Sequence, residues 1–206
     1  MNARELMNTA PVIPVIVVHD VKTAVPLAES LVAGGLPILE VTLRTPVAME
    51  AMRAMQAVKG AIVGVGTALN GADLKAAKDA GARFAVSPGF TEELGATAND
   101  INLPLLPGIA NSADIILAHA HGFKELKFFP ASQAGGPSML KALGGPFVDA
   151  VFCPTGGVSI SNAHEYLSLP NVVCVGGSWV APKFMVDGGD WSGIEDLAKV
   201  ASALQR

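Results

Sequence analysis

Charge is scarce in this sequence. Lysine, arginine, aspartate and glutamate together make 16% of the 206 residues, and the net formal charge is −4. No block of like charges occurs, which excludes the broad basic face that nucleic acid or an anionic membrane requires. An anionic ligand must instead be held by a few placed groups. Long apolar runs are also missing. The run near the N-terminus, "VIPVIVV" at 12–18, is too short to span a bilayer and is broken by Pro14. The stretch before it, "MNARELMNTA", carries Arg4 and Glu5 and does not read as a signal peptide, so a cytoplasmic protein is expected. Cysteine is limited to Cys153 and Cys174, both in apolar strand-like runs. They read as free buried thiols in a reducing compartment, with a disulfide as the alternative. The histidines are His19, His119, His121 and His164. His119 and His121 are two apart on an expected helix and point to different faces, so no metal site is expected.

Half of the residues are hydrophobic, which sets the chain among compact globular proteins. After an expected short helix at 4–9, one alternation repeats. Apolar strands are predicted at 12–18, 37–43, 61–66, 84–87, 103–107, 125–129, 151–154 and 172–176. Helices are predicted between them at 21–33, 46–59, 71–80, 91–98, 112–121, 138–143 and 162–168, with a last one at 193–204. Asp20, Thr45-Pro46, Asn70 and Asn111 stand where helices should start, and Gly34-Gly35, Gly81 and Gly122 where they should end. Eight such units predict a parallel α/β sheet, and eight is the number that closes a (β/α)8 TIM barrel. An open doubly wound sheet is the alternative. No linker or composition shift divides the chain, so one domain over 1–206 is expected.

The polar residues collect at the C-terminal ends of these strands, where such a barrel keeps its active site. Alternation puts Ile38, Glu40 and Thr42 on one face of their strand and Leu39, Val41 and Leu43 on the other. The all-apolar set should face the helices, which turns Glu40 inward, and Arg44 too if the strand runs that far. In "ELKFFPAS" the same rule turns Glu125, Lys127 and Phe129 inward. Glu40 and Lys127 should then meet inside one barrel. An isolated lysine in a strand can also be a solvated edge residue, and Glu40 can be a structural partner of Arg44. Lys127, however, has large apolar neighbours in sequence. An ammonium that loses hydration is disfavoured relative to the free amine, and a free amine can attack a ketone to form a Schiff base.

Two Gly-Gly pairs, each beside a hydroxyl residue, lie in consecutive strand–helix loops: "TGG" at 155–157 and "GGS" at 176–178. Either pair can be a simple tight turn. Together they predict a phosphate site built from backbone N–H groups, with "WVAPKF" supplying a short extra helix. Arg44 offers a fork for a carboxylate, against a surface ion pair with Glu40 or Glu50. Thr67 offers a further hydroxyl or N–H. "GVGTALNG" lacks the GxGxxG spacing of a dinucleotide site.

The chain resembles the 2-dehydro-3-deoxy-phosphogluconate (KDPG) aldolase / 4-hydroxy-2-oxoglutarate aldolase family across nearly its whole length. The motifs that carry the resemblance are "ILEVTLRT", "VGVGTALN", "VSPGFT", "LLPGIAN", "LKFFPA", "FCPTGGVS" and "CVGGSW". It implies a (β/α)8 barrel, a homotrimer and no metal or organic cofactor. It further implies that Lys127 is the Schiff-base lysine and Glu40 the acid/base. Arg44 and Thr67 would bind the pyruvate carboxylate, Pro88 would line the pocket, and Thr155 would sit beside the reacting hydroxyl and influence stereochemistry. Gly156, Gly157, Gly177 and Ser178 would hold the phosphate of a small phosphorylated keto acid. The implied reaction is reversible cleavage of that acid to pyruvate and D-glyceraldehyde 3-phosphate in the Entner–Doudoroff pathway. The alternatives are 4-hydroxy-2-oxoglutarate or the galactose-series epimer as substrate. In another class stand a phosphate-sugar isomerase and a non-catalytic binding barrel. Val65 and the segment after Pro130 depart from the family pattern.

Overall fold

The computed structural model of the chain describes residues 1–205; Arg206, the end of the expected domain, lies outside them. Helix α1 (Ala3–Thr9) opens the chain, closed by a reciprocal cap between Asn2 and Glu5. Strands β1 (Val12–Ile16), β2 (Ile38–Thr42), β3 (Ile62–Gly66) and β4 (Ala85–Val86) then alternate with helices α2 (Ala24–Ala33), α3 (Ala48–Met55), α4 (Gly71–Asp79) and α5 (Glu92–Asp100). Next come β5 (Leu105–Leu106), β6 (Gly108–Ile109), α6 (Ser112–Ala120), β7 (Glu125–Phe128), α7 (Gly136–Leu143) and β8 (Val151–Pro154). The chain continues with α8 (Ala163–Leu167), β9 (Val175–Gly177), α9 (Lys183–Gly188) and α10 (Trp191–Ser202).

Every strand pair in the two sheets is parallel. One sheet has the order β5-β4-β3-β2-β1-β9 and the other β6-β7-β8. The expected strand at 103–107 is therefore two pieces, extending to Ile109 and divided at Pro107. The segment nevertheless serves both neighbours. The carbonyls of Pro104 and Leu106 accept from Ala85 and Ser87, and those of Pro107 and Ile109 accept from Lys127 and Phe129. The second interruption lies between β8 and β9. The N–H of Phe152 donates to Asn171, whereas those of Val151 and Thr155 donate the other way, to Lys124 and Phe128. The next donor due toward β9 is at Pro154, which has none. Isolated bridges Phe152–Val172 and Thr155–Gly176 flank it, three steps along one strand against four along the other. Proline thus sets both breaks and shortens the last strand relative to the expected 172–176.

Asn70 and Asn111 cap their helices through side-chain oxygens, and Asp20 caps a single 3-10 turn (Val21–Thr23) that precedes α2. Thr45 does not cap. Its hydroxyl donates to Val18 at 2.6 Å, and α3 starts three residues later than Thr45. Of the "WVAPKF" segment expected to supply a short extra helix, only Lys183 and Phe184 are helical, as the first residues of α9, and the four residues before them are not.

Two apolar clusters divide by strand face. Leu39, Val41, Leu126 and Phe128 pack with helix residues such as Leu27, Leu31 and Met52. Leu6 and Met7 of α1 join Ile13, Ile38, Phe84, Val86, Leu106, Cys153 and Cys174 in a separate interior cluster. Arg4 ties α1 to Glu125 at the start of β7, 3.0 Å away, so α1 closes the N-terminal end of the strands. Both cysteines are buried, and no disulfide joins them.

Candidate active site

Lys127 and Glu40 lie on strands that are not ladder neighbours, yet their side chains meet. Lys127 Nζ is 3.2 Å from Glu40 Oε1, and the residues are 4% and 2% exposed. A solvated edge lysine is thereby excluded. In register, Lys127 stands between Gly108 on β6 and Cys153 on β8. Glu40 stands between Val15 on β1 and Gly64 on β3. Neither charge has another charged neighbour on its flanking strands. The Phe129 ring lies 5.2 Å from the ammonium and adds a favourable face. Desolvating both charges is costly, and their contact offsets that cost only while both are present. Such a pair is poised for proton exchange: moving one proton along the contact leaves a free amine beside a carboxylic acid.

The flanking residues are less uniform. Thr42 is fully buried, and its hydroxyl donates to Ile16 at 2.9 Å. The condition for Arg44 to continue the inward face, a strand that runs that far, is not met. The strand ends at Thr42, the Arg44 N–H folds back to the Thr42 carbonyl, and the side chain is exposed in a turn. Among the described residues Arg44 has no ion pair, with Glu40, Glu50 or any other carboxylate. Thr67 has φ of 62°, a costly backbone for a β-branched residue. Pro88 is half-buried and sits directly over Gly108, where an added Cβ would come within 2.4 Å of its carbonyl oxygen. The buried Ser87 hydroxyl fixes this turn by donating to Gly89 at 2.7 Å.

At the other side of the mouth, Gly156 and Gly157 have φ of 95° and 76°, a region glycine alone enters cheaply. The loop after β7 straps them down. Ala131 and Ser132 donate to Thr155 and Gly156, and the Asn162 amide donates to Gly157 at 3.0 Å. Tyr166 backs this strap beside Ser132. Burial pushes its phenol up, the charge of Glu165 adds to the shift, and the hydrogen bond with Ser132 opposes it. Thr155 is 6% exposed, with its hydroxyl beside the Cys153 carbonyl at 3.4 Å. Gly177 is buried under Trp179, and Ser178 is exposed.

Ser178 stands on the rim of a cavity of about 380 Å³ that also takes in Val15, Val17, His19, Asp20 and Lys183. Neither Glu40 nor Lys127 lines it. Val15 is the register partner of Glu40, so the cavity begins one strand away from the carboxylate. The site residues expected from the sequence do not include His19, Asp20 or Lys183. The signal was available for the first two, which follow β1 at the same end as Glu40 and Lys127. The other histidines named above go elsewhere: His119 packs edge-on against Phe147, His121 against Phe90, and His164 is exposed on α8. Among the described residues, no group of three or more His, Cys, Asp or Glu is arranged to hold a metal ion. Among the same residues, no helix is long and apolar enough to cross a membrane.

A sequence-family model described as KDPG and KHG aldolase matches residues 3–197. The 2-dehydro-3-deoxy-phosphogluconate aldolase of Pseudoalteromonas atlantica is 48% identical over 204 residues, 98% of this chain and 95% of that protein. The crystal structure of the 2-keto-3-deoxy-6-phosphogluconate aldolase of Zymomonas mobilis ZM4 with 3-phosphoglycerate superposes with a TM-score of 0.95. It is 48% identical and covers 99% of this chain and 96% of that one. The KDPG aldolase of Legionella pneumophila, with pyruvate captured at low pH as a covalent carbinolamine intermediate, superposes with a TM-score of 0.96. It is 43% identical and covers 98% and 99% of the two chains. With a buried lysine–carboxylate pair held between parallel strands and full-length similarity of this order, the chain belongs to the KDPG and KHG aldolase family.

Proposed function

We propose that this chain is a class I aldolase that reversibly cleaves 2-dehydro-3-deoxy-6-phosphogluconate to pyruvate and D-glyceraldehyde 3-phosphate, the aldol step of the Entner–Doudoroff pathway. The observation that carries the reading is the buried contact of 3.2 Å between Lys127 Nζ and Glu40 Oε1. The pyruvate carbinolamine of the Legionella relative supports covalent chemistry on such a scaffold.

In this reading the Lys127 amine adds to the C2 ketone, and loss of water from the carbinolamine gives an iminium. Glu40 moves the protons of both steps. The iminium then draws electrons from the C3–C4 bond. Glu40 takes the C4 hydroxyl proton, the bond breaks, and its electron pair forms an enamine while the aldehyde leaves. Glu40 returns the proton to C3, and hydrolysis frees pyruvate and regenerates the lysine. Arg44 and Thr67 hold the carboxylate end, Pro88 lines the pocket, and Thr155 meets the reacting hydroxyl. Gly156, Gly157, Gly177 and Ser178 hold the phosphate end, beside the cavity at the β1–β9 mouth. Fixing both ends of the substrate over one acid/base is worth several kcal/mol in orientation alone.

The same proposal covers the architecture and assembly. The two sheets are arcs of one closed (β/α)8 barrel forming a single domain. The doubly bonded segment around Pro107, the bridges flanking Pro154 and the meeting of Glu40 with Lys127 across the interior support this. A cytoplasmic homotrimer without a metal or organic cofactor follows the family resemblance, and two buried cysteines that are not joined in a disulfide suit a reducing compartment.

A second substrate, 4-hydroxy-2-oxoglutarate, is favoured by the family description, which spans both keto acids. The two strapped glycine loops favour the phosphorylated one. Purified protein given KDPG in the presence of EDTA should release pyruvate and glyceraldehyde 3-phosphate in equal amounts. Its kcat/KM should exceed those for 4-hydroxy-2-oxoglutarate and for the galactose-series epimer. Failure to release pyruvate from KDPG would contradict the proposal.

A further inference from the structure

Glu40 reaches Lys127 because the adjacent strand has no side chain in its path. The inward face of β3 carries Gly64 and Gly66, paired in register with Glu40 and Thr42. A Cβ at Gly66 would stand 2.1 Å from Glu40 Oε1 and 2.7 Å from its Cδ and Cγ. Oε1 is the oxygen that accepts from Lys127 Nζ. The volume a side chain at position 66 would fill is therefore the volume that the reacting carboxylate occupies.

Backbone conformation does not explain this glycine. Gly156 and Gly157 sit at positive φ, whereas Gly66 is absent from the positive-φ residues and lies in an ordinary parallel strand that alanine adopts freely. Nor can the carboxylate drop toward the floor of the interior. There Phe84 fills the equivalent space at Gly64, within 2.6 Å of where that Cβ would be. Glu40 is held between Val15 and β3 and is 2% exposed.

We infer that Gly66 is a positioning residue for the aldol reaction: its missing side chain seats Glu40 Oε1 against Lys127. The inference rests on the Schiff-base reading above. Gly66 touches no substrate in this role and acts only through the carboxylate.

The test is a double-mutant cycle of Gly66→Ala and Glu40→Ala, read by kcat for KDPG cleavage, by the rate of borohydride-trapped pyruvate on Lys127, and by thermal unfolding. Gly66→Ala should lower kcat by about 100-fold, the order that one acid/base group contributes. Its KM should stay within about threefold, because an interaction made in the transition state is what is lost. On the Glu40→Ala background, adding Gly66→Ala should change either rate by less than about twofold, since no carboxylate remains to be displaced. A general packing defect would instead cost the same on both backgrounds, and that result overturns the inference. So does a Gly66→Ala enzyme with kcat near wild type. If Gly66→Ala fails to fold, a folded double variant supports the clash with Glu40, and an unfolded one refutes it. A wild type that forms no pyruvate adduct sinks the Schiff-base reading itself. A wild type that forms one, beside a fully active Gly66→Ala, removes only the role of the glycine.

Discussion

Gly64 and Gly66 stand two residues apart on one face of one strand, and they make room for opposite things. Over Gly64 lies the Phe84 ring, part of the apolar interior cluster that α1 closes from below. Over Gly66 lies the carboxylate of Glu40, part of the polar layer at the mouth. The same pleat thus carries an apolar floor and a polar rim. The difference comes from what covers each end: a capped helix bearing Leu6 and Met7 below, and loops above. Losses at the floor should therefore register as stability, and losses at the rim as rate.

The sharpest way to break that contrast is Lys127→Ala. Cleavage should fall by at least about 10⁴-fold, as when a covalent nucleophile is removed. Near-ultraviolet circular dichroism should show an intact fold. Retention of a few per cent of activity would contradict the mechanism. Phe84→Ala addresses the floor. It should cost about 3–5 kcal/mol in urea unfolding while leaving kcat within a few-fold at temperatures where the protein is folded. A large loss of kcat with unchanged stability would erase the distinction between layers. Ser178→Ala probes the rim directly after β9. It should raise KM for the phosphorylated substrate by about tenfold, equivalent to roughly one hydrogen bond. KM for unphosphorylated 4-hydroxy-2-oxoglutarate should stay unchanged, and an equal rise for both substrates would remove Ser178 from the phosphate end. The smallest effect belongs to Asn2→Ala, which removes the cap of α1. Stability should drop by about 1 kcal/mol, read by denaturant midpoint, with kinetics unaltered.

Much of this layering was legible in the sequence because a strand has a strict period of two. The alternation in "ILEVTLRT" and "ELKFFPAS" was enough to turn Glu40 and Lys127 inward, and the structure brings them together. The clustering of glycines and hydroxyls at strand ends was equally readable. Arg44 was not. Its inward placement required β2 to continue, and the backbone instead turns after Thr42, where the Thr45 hydroxyl bonds to Val18 in the segment that follows β1. The breaks at Pro107 and Pro154 depend on which neighbour each backbone group faces, information that alternation of side chains does not carry. Gly66 was visible only as part of "GVGT". Its meaning lies in a side chain twenty-six residues earlier, and no local pattern reports that proximity.

The central claim is that a buried amine at position 127 bonds to the substrate carbonyl. Incubation with pyruvate and borohydride, followed by peptide mass mapping, tests it directly. A stable reduced pyruvate adduct on the peptide containing Lys127, absent from Lys127→Ala, is the expected result. An unmodified protein, or an adduct carried by some other lysine, would contradict the account.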